Sequence, residues 1–384
     1  MTRAPRVSFV VPCYKLGHLL GECITSILSQ SYEDFEVIVM DDCSPDATGE
    51  VVAAIRDPRV RCVRNGKNLG HMRNYNRGVA AARGTYVWLI SADDRLRRPY
   101  VLERFVAVMD RRPHAGYVFC PVVRFQGAAD LRVYGDRGAA DAIFPRRRFF
   151  TTLLDGNCVP AASAMARKEC YMRLGMYPLD LPFANDWYIW ALFAFAHDVA
   201  YLAEPMVGWR VHEGNMTNDF RRRPDALVAD EVTVRWRLLR MCEAAGDRGL
   251  ERIAFEKLCD DYANRVVRYT RDSWPYGLTE AEFEASLIKH GCRPREQALI
   301  RGAVYAALGD HAFEIRDLDR ARELYGRSLH YAPRSLKTHA KLALVNSGPL
   351  GVLTRSAVAE LRAAVGHFSQ PRSATPLGER LTLG

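Results

Sequence analysis

FEVIVMDD, residues 35–42, is a nearly continuous run of β-branched and other apolar side chains that ends in two adjacent carboxylates. A run of this length and composition describes a strand. Its lack of strict alternation describes a strand covered on both faces, as in a parallel sheet. Upstream lie VSFVV (7–11) and the helical pattern HLLGECITSILSQ (18–30). Downstream come ATGEVVAAI (47–55), VRCVRN (60–65), MRNYNRGVAAA (72–82) and TYVWLIS (85–91). The order is βαβα, which predicts an α/β fold with a parallel or mostly parallel sheet and helices on both faces. Ligands of such sheets sit at the carboxyl ends of the strands.

The unusual residues lie at those ends: Pro12 and Tyr14 after the first strand, Asp41 and Asp42 after the second, Asp93 and Asp94 after the fourth. Asp41 and Asp42 end a buried strand just before a Ser-Pro turn and are expected to present their carboxylates at the sheet edge rather than pair in the core. Neither GxGxxG nor GxxxxGK[ST] follows the first strand, which argues against a dinucleotide-binding domain and a P-loop NTPase. Asp93 and Asp94 follow the apolar VWLI and precede Arg95, Arg97 and Arg98. Adjacent carboxylates supply hard oxygen ligands and suit Mg²⁺ or Mn²⁺. They serve separate partners only if the backbone turns between them.

The chain has 384 residues, 48% hydrophobic and 26% charged, which excludes overall disorder and allows two or three domains. Lys and Arg exceed Asp and Glu by 54 − 45 = 9, so an anionic partner is expected. The Arg clusters 146–148 and 221–223 are not interleaved with a nucleic-acid-reading motif, and no nucleic acid is expected. They leave peripheral contact with acidic lipid open, beside the plainer reading of a solvated surface. Ten cysteines without a CxxC pair read as reduced thiols of a cytosolic protein. The run Val7–Val11 is far shorter than the ~20 residues of a membrane span, and neither a span nor a leader is expected.

From about Asp225 the pattern becomes helical, as in ALVADEVTVRWRLLRMCEAA (226–245) and ERIAFEKLCDDYANRVVRYT (251–270). Tyr305, Leu308, Gly309, Ala312, Ala321, Tyr325 and Pro333 fall on the spacing of one tetratricopeptide-type helical pair. A lone pair cannot bury its own apolar face, so it is expected to stack on the preceding helices, with partner binding as the alternative. The tail SQPRSATPLGERLTLG (369–384) reads as frayed. These shifts divide the chain into residues 1–220, a helical connection 221–300, a tetratricopeptide-like module 301–368 and the tail.

VSFVVPCY (7–14), SILSQSYEDFEVIVMDDCSPDAT (26–48), NLGHMRNYNRGVAAARGTYVWLISADD (68–94), ND (185–186) and WRVH (209–212) occur in the order found in family 2 glycosyltransferases. The first ~215 residues resemble that family, whose fold is the GT-A nucleotide-diphospho-sugar transferase fold, a Rossmann-like sheet. The resemblance implies that Asp42 contacts the nucleobase with support from Pro12 and Tyr14. It places Asn68 and Arg73 near the nucleotide, Asp93 on ribose or metal, Asp94 on metal, and His212 on metal or diphosphate. The family's Asp-x-Asp-Asp begins here with Ser91, and its Glu-Asp is Asn185-Asp186.

Asp186 opens the apolar helical stretch FANDWYIWALFAF (183–195), and a carboxylate against aromatic surface has a raised proton affinity. The resemblance makes it the general base of an inverting transfer from a nucleotide sugar, most often a UDP-sugar, to a saccharide or lipid-linked hydroxyl. Cell-surface polysaccharide or glycolipid assembly is the implied setting, in the cytoplasm or at the inner face of the plasma membrane. Taken singly, Asp42 and the Asp93–Asp94 pair read as turn residues, and Asp186 as a helix cap. The alternatives are a catalytically silent sugar-nucleotide scaffold and a sugar-1-phosphate nucleotidyltransferase, although the latter's Gly-rich basic loop is missing from VPCYKLGHLL.

Overall fold

The computed structural model describes residues 4–347, so the proposed tail and the end of the proposed helical module lie outside the described residues. Two compact units divide at Arg222–Arg223. In the first, the chain runs β1 (Val7–Cys13), α1 (Gly17–Leu28), β2 (Phe35–Asp41), α2 (Thr48–Ala54), β3 (Val60–Arg64), α3 (His71–Ala81), β4 (Tyr86–Leu89) and β5 (Arg95–Leu96). It continues through α4 (Val101–Arg111), β6 (Ala115–Phe119), β7 (Val122–Gln126), β8 (Ala129–Tyr134), β9 (Ala142–Phe144), α5 (Arg146–Leu153), β10 (Met165–Arg167) and α6 (Lys168–Leu174). The unit closes with α7 (Asn185–Ala196), β11 (Asp198–Tyr201), β12 (Val207–Arg210) and α8 (Met216–Arg222).

Eight strands form one sheet in the order β3-β2-β1-β4-β10-β6-β11-β9. The first four are mutually parallel, and β10 runs antiparallel between β4 and β6. The chain winds outward from β1 to β3 and then returns to place β4 on the other side of β1. That reversal opens a crevice at the carboxyl ends of β1 and β4. Four further strands form a second sheet, β5-β12-β7-β8.

Every residue of β1 and β2 is buried, which follows from cover on both faces. With a two-residue side-chain period, Val7, Phe9, Val11, Val37 and Val39 share one face and join a core with Leu20, Ile24 and Ile27 of α1 and Phe105 of α4. The opposite face carries Val10 and Met40, and α3 lies against it so closely that a Cβ on Gly78 would stand 2.3 Å from Val10 Cγ1.

Gly84, at the turn into β4, lies against backbone rather than side chain: an added Cβ would meet Ser8 N at 2.7 Å and Val7 C at 2.8 Å. Its own N–H donates to Ser8 Oγ at 2.8 Å. Because backbone cannot yield as a side chain does, Gly84→Ala is expected to destabilise by about 2–3 kcal/mol, the upper part of the usual overpacking cost. Thermal unfolding of the variant reads this as a Tm lowered by several degrees.

The second unit, among the described residues, is helical: α9 (Pro224–Ala244), α10 (Arg248–Asp272), α11 (Glu280–Lys289), α12 (Pro294–Glu314), α13 (Leu318–Tyr331) and α14 (Leu336–Asn346). Trp236 Nε1 donates to Tyr262 OH at 3.0 Å, and that hydroxyl is 2.7 Å from Ser286 Oγ, which ties α9, α10 and α11 together. Of the tetratricopeptide-spaced residues, Tyr305, Leu308, Gly309 and Ala312 fall on α12, Ala321 and Tyr325 on α13, and Pro333 in the turn between α13 and α14. Gly309 lets the Tyr325 ring approach to where a Cβ would be 2.7 Å away. α12 also packs on α10, so part of the pair's apolar surface is covered by a preceding helix.

Candidate active site

The carboxyl end of β4 carries the acidic pair. After Leu89 the chain turns: Ala92 N–H donates to Pro12 O at 3.3 Å and Asp94 N–H to Ser91 O at 3.0 Å. This turn sends the Asp93 and Asp94 side chains in different directions. Both are nearly inaccessible, 8% and 5% exposed. Asp93 Oδ2 accepts from Asn215 Nδ2 at 3.2 Å and lies 2.9 Å from His212 Nε2. Burial is the largest influence and pushes the Asp93 carboxyl up, but hydrogen bonds from His212, Ser91 and the backbone, together with the His212 charge, outweigh it and hold the group below the ordinary carboxylate range.

Asp93 Oδ1 is buried without a hydrogen-bond partner among the described residues. Asp94 Oδ1 accepts from Arg210 N at 3.0 Å, while burial and then the neighbouring Asp93 charge push this carboxyl well up. Arg210 also donates through Nε to Asp93 O at 2.8 Å. The cations flagged by sequence go elsewhere: Arg95 pairs with Glu22, and Arg97 Nη2 with Asp130 Oδ2 at 2.6 Å. The cation that frames the acidic pair is Arg210, more than a hundred residues downstream.

An orphaned carboxylate oxygen beside a second buried carboxylate fits a hard divalent cation, which needs one or two protein carboxylates when a diphosphate supplies the rest. Among the described residues, no three His, Cys, Asp or Glu side chains are grouped to hold an ion by themselves. His212 engages Asp93.

Asp41 and Asp42 correct the sequence expectation of two presented carboxylates. Asp41 is fully buried: Oδ1 accepts from Ser44 N at 2.8 Å, and Oδ2 pairs with Arg64. Asp42 is 3% exposed; Oδ1 accepts from Asn65 Nδ2 at 2.7 Å and Leu69 N at 2.8 Å, and Oδ2 from Gly70 N at 3.0 Å. A buried carboxylate requires such partners. Asp42 thereby pins the loop that leads into α3, and Asn68 Oδ1 accepts from the same Gly70 N at 3.0 Å. Pro12 is buried on β1, whereas Tyr14 is 41% exposed with the Lys15 ammonium over its ring. Arg73 is exposed in the first turn of α3.

Asp186 lies in the first turn of α7, behind an N-cap position held by Ala184. Oδ1 accepts from Trp187 N at 2.7 Å and Oδ2 from Asn157 Nδ2 at 2.9 Å. Burial outweighs both bonds and pushes the carboxyl up to about 6. The phenol of Tyr75, on α3, shows that the acidic groups share one region. Burial and then Tyr177 raise its proton affinity most, and the charges of Asp93, Asp186 and Asp94 add to it. Asn157, Arg210, Asn215 and Tyr75 carry no spacing signal in sequence; an asparagine in GNCVP or GNMTN looks like any turn residue.

The family model described as "Glycosyl transferase family 2" matches residues 8–174, a segment running from β1 to α6. That segment is a family 2 glycosyltransferase domain. It is similar to the succinoglycan biosynthesis protein ExoO of Rhizobium meliloti, with 41% identity over 28% of this chain and 31% of the relative. An uncharacterized glycosyltransferase of Haemophilus influenzae is 26% identical over 57% of this chain and 69% of the relative. The matches to the first three curated relatives span only 26–36% of their length. The fold of the family 2 domain is seen in S. aureus TarS 1–349, solved with UDP-GlcNAc, at 16% identity and TM-score 0.59 over 86% of this chain and 93% of that one. A mostly parallel GT-A sheet followed by helices is therefore the fold of this chain. No helix among the described residues is long and apolar enough to cross a membrane.

Proposed function

We propose that the chain transfers a sugar, with inversion, from a nucleotide-diphosphate donor, a UDP-sugar before others, to an acceptor hydroxyl of a saccharide or lipid-linked saccharide. The observation that carries this reading is Asp186, a buried carboxylate whose proton affinity is raised into the range of a working general base, beside the acidic pair at the end of β4. In this reading Asp186 takes the acceptor's proton as the acceptor oxygen attacks the anomeric carbon opposite the diphosphate. Asn157 and the Trp187 N–H hold the carboxylate in one orientation, so its remaining lone pairs face the acceptor. Asp42 acts by fixing the Asn65–Gly70 loop, against which Pro12, Tyr14, Asn68 and Arg73 frame the nucleotide.

Asp94 and Asp93 Oδ1 would hold a divalent ion, Mn²⁺ or Mg²⁺, with His212 and Asn215 orienting Asp93 from its other oxygen. Such an ion neutralises charge that grows on the departing diphosphate. ExoO, named for succinoglycan biosynthesis, supports a place in surface-polysaccharide assembly.

Calorimetric titration of the full chain with UDP, GDP and dTDP, each with Mn²⁺ and with EDTA, tests the donor. One nucleotide is expected to bind at least tenfold tighter with Mn²⁺. Absence of binding to all three under both conditions would overturn the reading in favour of a silent scaffold.

A further inference from the structure

The second sheet carries an arrangement that this mechanism does not use. Arg124 of β7 is directly opposite Arg132 of β8 and directly opposite Trp209 of β12, so the three side chains leave the same face. The Arg124 guanidinium lies 5.3 Å from the Trp209 ring centroid. Like charges directly opposite on paired strands are destabilising. Here no carboxylate offsets them at Arg124, whose Nε is buried with no partner among the described residues. Burial, then the charges of Arg132 and Arg221, depress the Arg124 proton affinity, which brings Arg221 of α8 into the same positive field.

The charge of Asp186 reaches this face. Tyr134, two residues from Arg132 and therefore on the same face, packs on Trp209 with ring centroids 5.9 Å apart. Its phenol is pushed up to about 12 by burial and then by the charge of Asp186. The donor's acidic machinery, in contrast, is approached by Arg210, whose guanidinium lies over Phe125 on the opposite face of the same sheet.

We infer that Arg124, with Arg132 and Arg221, forms an oxyanion site on the acceptor side of Asp186, and that the acceptor carries a phosphate group. This rests on the transferase reading for the role of Asp186. A guanidinium beside an indole, directly opposite Arg132 and in the field of Arg221, presents its outer N–H groups as a fork for phosphate.

The test is titration of the full chain with inorganic phosphate, alone and with saturating UDP and Mn²⁺, on wild type, Arg124→Gln and Arg221→Gln. Phosphate is expected to bind the UDP-saturated protein, and Arg124→Gln to weaken it at least tenfold while UDP affinity and Tm hold. Arg124→Lys, which keeps the charge and loses the fork, falls between. Exclusion of phosphate by UDP would assign the arginines to the donor diphosphate and overturn the inference. Unchanged phosphate affinity in Arg124→Gln, or no phosphate binding by wild type, would overturn it as well. Phosphate binding through Arg124 without any UDP binding leaves the anion site standing and fails the transferase reading, so the two failures are told apart. Glucose 6-phosphate and glycerol 3-phosphate, titrated the same way, separate a sugar-borne from a glycerol-borne phosphate.

Discussion

Asp186→Asn is expected to lower the transfer rate by about 10²–10⁴-fold, the usual worth of a positioned general base, while nucleotide binding stays within a factor of two or three. The same residue sets the pH dependence. A base works deprotonated, so kcat is expected to fall about tenfold per pH unit below about 6 and to level off above it. Stability runs the other way. The folded-state proton affinity is raised, so the group favours folding fully below the unfolded value, and that contribution is lost as pH rises through about 6. At neutral pH the buried charge costs roughly 3 kcal/mol by that shift. Asparagine removes the charge and loses part of the contact with Asn157 and Trp187 N. The variant is therefore expected to melt no lower than wild type at pH 7.5. Equal loss of transfer, nucleotide binding and Tm would make Asp186 a structural residue.

Asp94→Ala is expected to abolish the Mn²⁺-dependent part of nucleotide binding and to reduce transfer at least about 10²-fold, since a metal supplies several kcal/mol at such a centre. Alanine also strands the Arg210 N–H, so Asp94→Asn is the sharper variant: it keeps an acceptor for that donor and loses the charge. Calorimetry with Mn²⁺ and with EDTA reads both. Metal dependence that survives in Asp94→Asn would reduce Asp94 to a hydrogen-bond acceptor for β12.

The alternation of FEVIVMDD and its neighbours with helical patterns was enough for the parallel half of the sheet, because β1 to β4 are local βαβ units whose periodicity is complete within each run. β10, antiparallel between β4 and β6, left no such mark: MAR is too short to show a period. Asp42, Asp93, Asp94, Asp186 and His212 could all be named from sequence, the aspartate at 186 and the histidine at 212 chiefly by resemblance. What they touch could not. Asp42 was expected to present its carboxylate, yet its partners come from a loop more than twenty residues on. The link from His212 to Asp93 spans 119 residues, and no local pattern encodes a contact across that distance.

That span bears on the order in which the chain assembles. β1 to β4 close short loops, whereas β12 must find β5 and β7 after about a hundred intervening residues have been placed. Long closures form late because their entropy is lost before their contacts are gained. On a growing polypeptide, Asp93 and Asp94 therefore emerge well before Arg210, His212 and Asn215 exist to receive them. The carboxylates would stay hydrated until β12 docks, and a nascent or truncated chain ending before Val207 would have the sheet but not the acidic centre.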